Sequence, residues 1–290
     1  MLASQPSSAS SVTLPPMASE ATSNGDTVGK PTTAATALRM GKPTKPIYDP
    51  TAHESAESFC RLGIIAPYLQ AFTSLTTLSL SGAAADRRAL EAFSMNVPTT
   101  ITSLALLRCG ISGDECMQGV LVVLAHPKRH LLRTLDLSAN ALGSAGASRL
   151  AGALNRLPSL CITKLVISNC RIGRQGAEAL CVALQHNTSI SALHAQYNEF
   201  GDDGCTAVGD MLLTNTSLSS LNISYNNISD SGVRCLAASV ASVREVLHPD
   251  GVTAKPGLTM LRIAGNMASA NGLKLLATAL PTVSIYDTAT

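Results

Sequence analysis

The residues best equipped for chemistry recur at one interval. Tyr197 and Tyr225 stand 28 residues apart, as do His194 and Asn222, and Gln196 lies between the histidine and the first tyrosine. Lys164, Asn169 and Arg262 flank this group, and Arg108 and Asp136 hold related positions further upstream. An imidazole can act as a base or a metal ligand, but either role needs a nucleophile, a carboxylate or further ligands beside it. The remaining histidines, His53, His126, His130, His186 and His248, are scattered, and no CxxC pair occurs among the eight cysteines. Tyrosines rimmed by polar groups are instead what protein-binding hot spots use. The plainer alternative is that Tyr197 and Tyr225 cover a bend between strand and helix.

Other motifs carry less. Gly25-x-x-x-Gly29-Lys30-Pro31-Thr32 approximates a phosphate loop, but its glycine spacing is one short and a proline follows the lysine. The sequons at Asn187, Asn215, Asn222 and Asn227 fall on repeat-defined positions and read as incidental. Asp202 and Asp203 open a predicted helix, where acidic side chains complement the helix dipole. These residues assemble no catalytic constellation, cofactor site or metal site, so the expected role is non-enzymatic.

The interval itself comes from the chain's organisation. Ile162-x-x-Leu165-x-Ile167-x-x-Cys170-x-Ile172 is followed 28 residues later by Ile190-x-x-Leu193-x-Ala195-x-x-Asn198-x-Phe200, and again by Leu218-x-x-Leu221-x-Ile223-x-x-Asn226-x-Ile228. A fixed period of this length means stacked, similar units. The first half of each reads as a short strand. The second half, with Gly176, Leu180 and Leu184 as its first instance, reads as an amphipathic helix. Centred on Leu78, Leu104, Leu135, Leu165, Leu193, Leu221 and Leu261, the strands define seven units. Strand alternation then places Asp136, His194, Asn222 and Arg262 in one outward column, with Gln196 two residues further on and Arg108, Asn169, Tyr197 and Tyr225 next to it.

Residues 1–46, dominated by Ser, Thr, Ala and Pro, cannot bury enough apolar surface to offset their ordering entropy and are expected to be disordered. Residues 47–72 are expected to form a helical cap, with a helix from Thr51 to Leu62, a capping box from Thr51 to Glu54, and Gly63 as its end. Residues 73–290 form the repeat domain. The last unit spacing is longer, and the excess falls at about 244–257, where Pro249-Asp250-Gly251 and Lys255-Pro256-Gly257 predict a protruding loop. Val283 to Tyr286 predicts a terminal edge strand.

Composition narrows the classes further. A net charge of +2 and a pI near 8.1 argue against nucleic acid or an anionic membrane surface as partner. Aromatics are only 3% of residues, which disfavours base stacking. No apolar run approaches the roughly 18 residues of a membrane span. The N-terminus lacks a charged region followed by an apolar one, against a secretory signal; a mitochondrial presequence is disfavoured because the first basic residue is Lys30. Cys109, Cys170, Cys181, Cys205 and Cys235 occupy repeat positions and are expected to be buried free thiols, which points to a reducing, cytoplasmic compartment.

Unit three, with Leu132, Leu135, Leu137, Asn140, Leu142, Gly146, Leu150 and Leu154, resembles the leucine-rich repeats of the ribonuclease-inhibitor-like class, and the resemblance covers about residues 72 to 285. It implies an α/β horseshoe solenoid of about seven repeats, with a parallel sheet on the concave face and helices on the convex face. It implies a structural role for the column Cys109, Asn140, Cys170, Asn198, Asn226 and Asn266, whose side chains would satisfy backbone groups in their own unit and the next; unit one departs with Ala83. Gly146, Gly176, Gly204, Gly232 and Gly272 let neighbouring units approach. Such motifs specify fold and not biochemical role. The expected function is a scaffold that binds another protein on the concave face. The alternative is activation of a Ran-type small GTPase, which proteins of this repeat class perform, although with more repeats and a long acidic tail. Ile47 to Phe72 also resembles the cap of repeat proteins of cilia and the axoneme, which implies a cytoskeletal or ciliary assembly.

Overall fold

Alternation within the leucine motif sends every second strand residue inward. Leu78 and Leu80, Leu104 and Leu106, Leu135 and Leu137, and Leu165 and Ile167 are all buried, and the pattern holds through Leu261 and Ile263. A computed structural model describes residues 11–13, 37–40, 62–72, 74–126, 131–157, 161–246 and 257–287. Its strands are β1 (Ser11–Thr13), β2 (Ala37–Met40), β3 (Thr77–Ser81), β4 (Ser103–Leu107), β5 (Thr134–Asp136), β6 (Lys164–Val166), β7 (Ala192–His194), β8 (Ser220–Asn222), β9 (Met260–Arg262) and β10 (Ser284–Tyr286). They form one parallel sheet in sequential order. Leu78, Leu104, Leu135, Leu165, Leu193, Leu221 and Leu261 pair in a single register that continues to Ile285, so the seven predicted strand centres and the terminal edge strand fall where the repeats put them.

Helices α1 (Leu62–Leu69), α2 (Arg87–Asn96), α3 (Gly113–Ala125), α4 (Gly143–Arg156), α5 (Gly173–Leu184), α6 (Gly201–Thr214), α7 (Asp230–Val246) and α8 (Ala270–Ala279) alternate with the strands from β3 onward. Consecutive helices pack on one another, and their buried stripes, such as Leu150 and Leu154 or Leu180 and Leu184, close the core against the inner face of the sheet. The glycine column works by close approach: a Cβ on Gly176 would lie 2.6 Å from Ile172 Cγ2, 3.0 Å from Ala147 Cβ and 3.1 Å from Ser144 Cα of the preceding unit.

The structure differs from expectation at both ends of the solenoid. The residues of the expected Thr51 helix up to position 61 lie outside those described, and helix α1 starts at Leu62, where that helix was expected to stop. Burial of Leu62, Ala66 and Leu69 at helical spacing carries α1 past Gly63 and past Pro67, whose missing N–H forfeits a single hydrogen bond. Of residues 1–46 only strands β1 and β2 are described, and they continue the parallel sheet by pairing onto the edge at β3. Helix α7 continues to Val246, into the start of the expected insertion, and residues 247–256 lie outside those described.

The acidic pair at the start of α6 acts across units. Asp202 Oδ1 accepts from the Ser229 amide at 2.7 Å and Oδ2 from the Ser229 hydroxyl at 2.6 Å, at the head of the following helix rather than its own. Asp230 repeats this on Ser269 at 2.7 and 2.8 Å. Asp203 pairs with Arg174 at 2.8 Å on the exposed surface. Desolvation pushes the Asp202 carboxyl up, but hydrogen bonds from Ser229 and Gly232 outweigh it and leave the group below its ordinary value. The Ser269 amide and hydroxyl hold Asp230 low as well. Carboxylates lowered in the folded state contribute stability above their unfolded value, and that contribution is lost as pH falls through the folded value. The urea midpoint is therefore expected to drop as pH falls below the ordinary carboxylate value of 3.8, and Asp230→Asn should flatten that part of the profile. An unchanged profile in Asp230→Asn would remove this carboxylate from the account.

Candidate functional site: the concave face and its aromatic platform

Each strand ends in a bend that exposes several main-chain groups to the core, and the Asn/Cys column fills them. Asn198 Oδ1 accepts from the Cys170 amide at 2.8 Å and Nδ2 donates to Ile167 O at 2.7 Å and Ala195 O at 3.0 Å. Asn140 binds the Cys109 amide and Leu106 O in the same way, Asn226 the Asn198 amide, and Asn266 the Asn226 amide and Ile223 O. These side chains serve their own unit and the preceding one, which corrects the expected direction. The reason is geometric: the side chain turns under the bend it has just left, toward the unit already stacked behind it. Cys109 and Cys170 reproduce only the donor half, through Sγ to Leu80 O at 3.8 Å and Leu137 O at 3.2 Å.

Burial pushes the thiols of Cys109 up to about 11 and of Cys170, Cys181 and Cys205 up to about 12, so they stay protonated. Cys235 departs from expectation and is exposed. It stands three residues after Gly232, on the outer flank of α7, whereas Cys205 directly follows Gly204 and faces inward. Asn215 is buried, with Nδ2 donating to Leu184 O at 2.5 Å, so its sequon is committed to the return from helix to strand.

The residue before the Asn/Cys column has left-handed backbone in every unit: Gly82, Arg108, Ala139, Asn169, Tyr197, Tyr225 and Gly265 have φ between 51° and 70°. At this position Tyr197 and Tyr225 stack, ring centroids 4.3 Å apart and planes 7° from parallel. Gly265 seats the stack: a Cβ there would fall 2.2 Å from Tyr225 Cε1. Tyr225 thus lies against bare backbone on one side and Tyr197 on the other, and Tyr197 remains 51% exposed beside the exposed Asn169. Desolvation and the adjacent Tyr225 phenol both raise the Tyr197 phenol above its ordinary value, keeping it protonated.

Next to the platform, β5 to β9 align Asp136, Val166, His194, Asn222 and Arg262. Half-buried His194 is held below its ordinary value, first by desolvation and then by Lys164 and Arg262, with Asp136 opposing. The imidazole is therefore neutral at pH 7. Asp136 and Asn222 each accept from the serine amide two residues on, at 2.9 and 3.1 Å. The structure brings Lys164, Asn169, His194, Gln196, Tyr197, Asn222, Tyr225 and Arg262 onto adjoining strands or bends. Arg108, at the end of β4, stands three strands from Tyr197, and the Asp136 carboxylate is engaged locally.

Three features escaped the sequence reading. Arg262 lies over the Tyr286 ring at 5.4 Å, a contact that extending the column into β10 would have suggested. Gly265 as the tyrosine seat leaves no sequence signal beyond its place in the column. Ser168 Oγ and Gln196 Oε1 are buried side-chain atoms without a hydrogen-bond partner. Among the described residues no helix is long and apolar enough to cross a membrane, and no three His, Cys, Asp or Glu side chains converge as a metal site would require.

Comparison with known proteins agrees with this geometry. The family described as Leucine Rich repeat matches residues 129–151, 159–181 and 214–237. The chain is similar to the ribonuclease inhibitor of Mus musculus, 36% identical over 104 residues, which is 36% of this chain and 22% of that protein. It is also similar to the ribonuclease inhibitor of Sus scrofa, 29% identical over 168 residues, 54% of this chain and 36% of that one. The matches thus span between about a fifth and a third of these relatives. A solved leucine-rich repeat-containing protein, LegL7 from Legionella pneumophila, shares the fold with a TM-score of 0.55 at 21% identity, over 87% of this chain and 74% of that one. With its repeats, register and asparagine column in place, the chain is built as a leucine-rich repeat solenoid and is similar to the ribonuclease-inhibitor-like class.

Proposed function

We propose that the protein is a non-enzymatic scaffold whose concave face binds another protein, with Tyr197 and Tyr225 as the anchor. The observation that carries this reading is the placement of two bulky aromatics in left-handed backbone, where Gly82 and Gly265 stand in the first and last units. A left-handed residue with a Cβ costs about 1–2 kcal/mol. For the two tyrosines together that is about 2–4 kcal/mol, and an aromatic stack returns about 0.5–1.5 kcal/mol beyond burial, so the stack alone does not offset the strain. The benefit of the pair lies in presenting a flat, rigid, half-exposed surface ringed by His194, Gln196, Asn169 and Asn222.

The test is affinity capture by the tagged full chain and by Tyr197→Ala/Tyr225→Ala. Losing a two-residue hot spot should weaken capture by roughly a hundredfold, at about 1.4 kcal/mol per factor of ten. The thermal midpoint should stay close to that of the parent. Gly265→Ala tests the same surface without touching the tyrosines, because its methyl would unseat Tyr225. Capture that is undiminished in both variants would remove the platform as the binding site.

A further inference from the structure

From the placement of Lys164, His194, Gln196 and Arg262 on the concave strands, we propose that the segment bound there is extended and acidic. This rests on the concave-face reading and adds the chemistry of the occupant. Lys164 on β6 and Arg262 on β9 lie three strands apart, with His194 on β7 and Asn222 on β8 between them. Lys164 is level with Met260, two residues before Arg262, so at about 4.8 Å per strand and about 3.3 Å per residue the two positions are about 16 Å apart. That is the span of roughly five residues of extended chain at about 3.5 Å each, so one carboxylate near each end of such a segment meets one cation. In the strand columns facing this surface, Lys164, Arg262 and Arg108 stand against Asp136, whose carboxylate already accepts from the Ser138 amide.

The unpartnered polar atoms support the same occupant. Gln196 Oε1 and Ser168 Oγ lie on neighbouring units just beneath this face, buried, and neither makes a hydrogen bond. A glutamine carbonyl that holds no donor gives up nothing when it swings to meet one. An extended segment offers backbone N–H groups that this half-buried side chain can reach by turning outward. Lys164 and Arg262 both lower the proton affinity of His194, so the local field is positive, and only Asp136 opposes it. Carboxylates arriving above the imidazole reverse that field and raise its affinity for a proton. Binding therefore tightens as pH falls through the titration of His194.

The experiment uses the full chain, isotope-labelled, with an N-acetylated, C-amidated hexapeptide of alternating Glu and Ser as probe and a Lys/Ser hexapeptide as control. The acidic peptide is expected to shift the His194 and Gln196 resonances, to raise the His194 titration midpoint, and to bind less tightly as salt increases. Lys164→Glu should weaken it at least about tenfold, and Lys164→Arg should restore it. No shift with the acidic peptide, equal binding of the basic one, or unchanged affinity in Lys164→Glu overturns the proposal. The tyrosine anchor is separable: normal peptide binding in Tyr197→Ala supports the acidic reading and detaches it from the platform. A silent peptide titration alongside lost protein capture in Tyr197→Ala retains the platform and rejects the acidic occupant.

Discussion

Urea unfolding of Asn198→Ala is expected to show a loss of about 3 kcal/mol or more. Asn198 is fully buried, and its carboxamide answers amides of Cys170 and Ile172 together with carbonyls of Ile167, Ala195 and Gln196. Each buried main-chain group left without a partner costs about 1–3 kcal/mol. Water entering the cavity recovers part of this, which is why the estimate stays well below the sum. Asn198→Asp is the sharper comparison, because it keeps the acceptor for Cys170 and Ile172 and loses the donors. If Asn198→Ala unfolds at the same midpoint as the parent, the ladder is not what fixes the bends.

Gly176→Val should be comparably damaging for the opposite reason. The first added carbon already meets Ile172 and Ala147 side chains and the Ser144 backbone at 2.6 to 3.1 Å, and valine adds two more. Overpacking a tight contact costs about 1–3 kcal/mol, with the larger values where backbone must move. Better helix propensity recovers only a few tenths of a kcal/mol. The expected net loss is about 2–3 kcal/mol by thermal or urea unfolding. Gly152→Ala is the control, since a Cβ there meets nothing within 4 Å; a loss in the control as large as that in Gly176→Val would show that packing between α4 and α5 is not the cause.

Most of the fold was legible because the repeat states the same physics several times. The leucine spacing alone identifies the strand centres, and their register in the sheet follows it from Leu78 to Leu261 without a slip. What repetition does not encode is the boundary. Gly63 and Pro67 both argue locally against a helix, yet α1 runs through them because burying Leu62, Ala66 and Leu69 against the first unit outweighs local preference. Cys235 was misplaced for a similar reason: position within a unit is legible, but helix phase turns a shift of two residues into the difference between core and solvent.

The candidate site was legible as a set of columns. Tyr197 and Tyr225 could be assigned to neighbouring bends from their spacing, and about 5 Å between strands already brings such rings into contact. Their stacking on Gly265 could not, since it depends on left-handed backbone that the residue types do not announce. Tyrosine is an improbable occupant of that region, and only the glycines at Gly82 and Gly265 hint at it. Unpartnered Ser168 and Gln196 belong to the same class, for satisfaction of a polar group is decided by side-chain torsions.

Because each asparagine reaches back one unit, the stack has a direction. A unit's bend is finished by the unit that follows it: Asn226 completes Asn198 and Phe200, and Asn266 completes Asn226 and Ile228. Trimming the array from its C-terminal side therefore strips the acceptor from the buried amides of the unit that becomes last, whereas trimming from the other side removes the amides and carbonyls that the first remaining asparagine had served. A chain emerging from the ribosome meets the same asymmetry, with the repeats that precede Asn140, Asn198, Asn226 and Asn266 waiting for their successors before their turns can close.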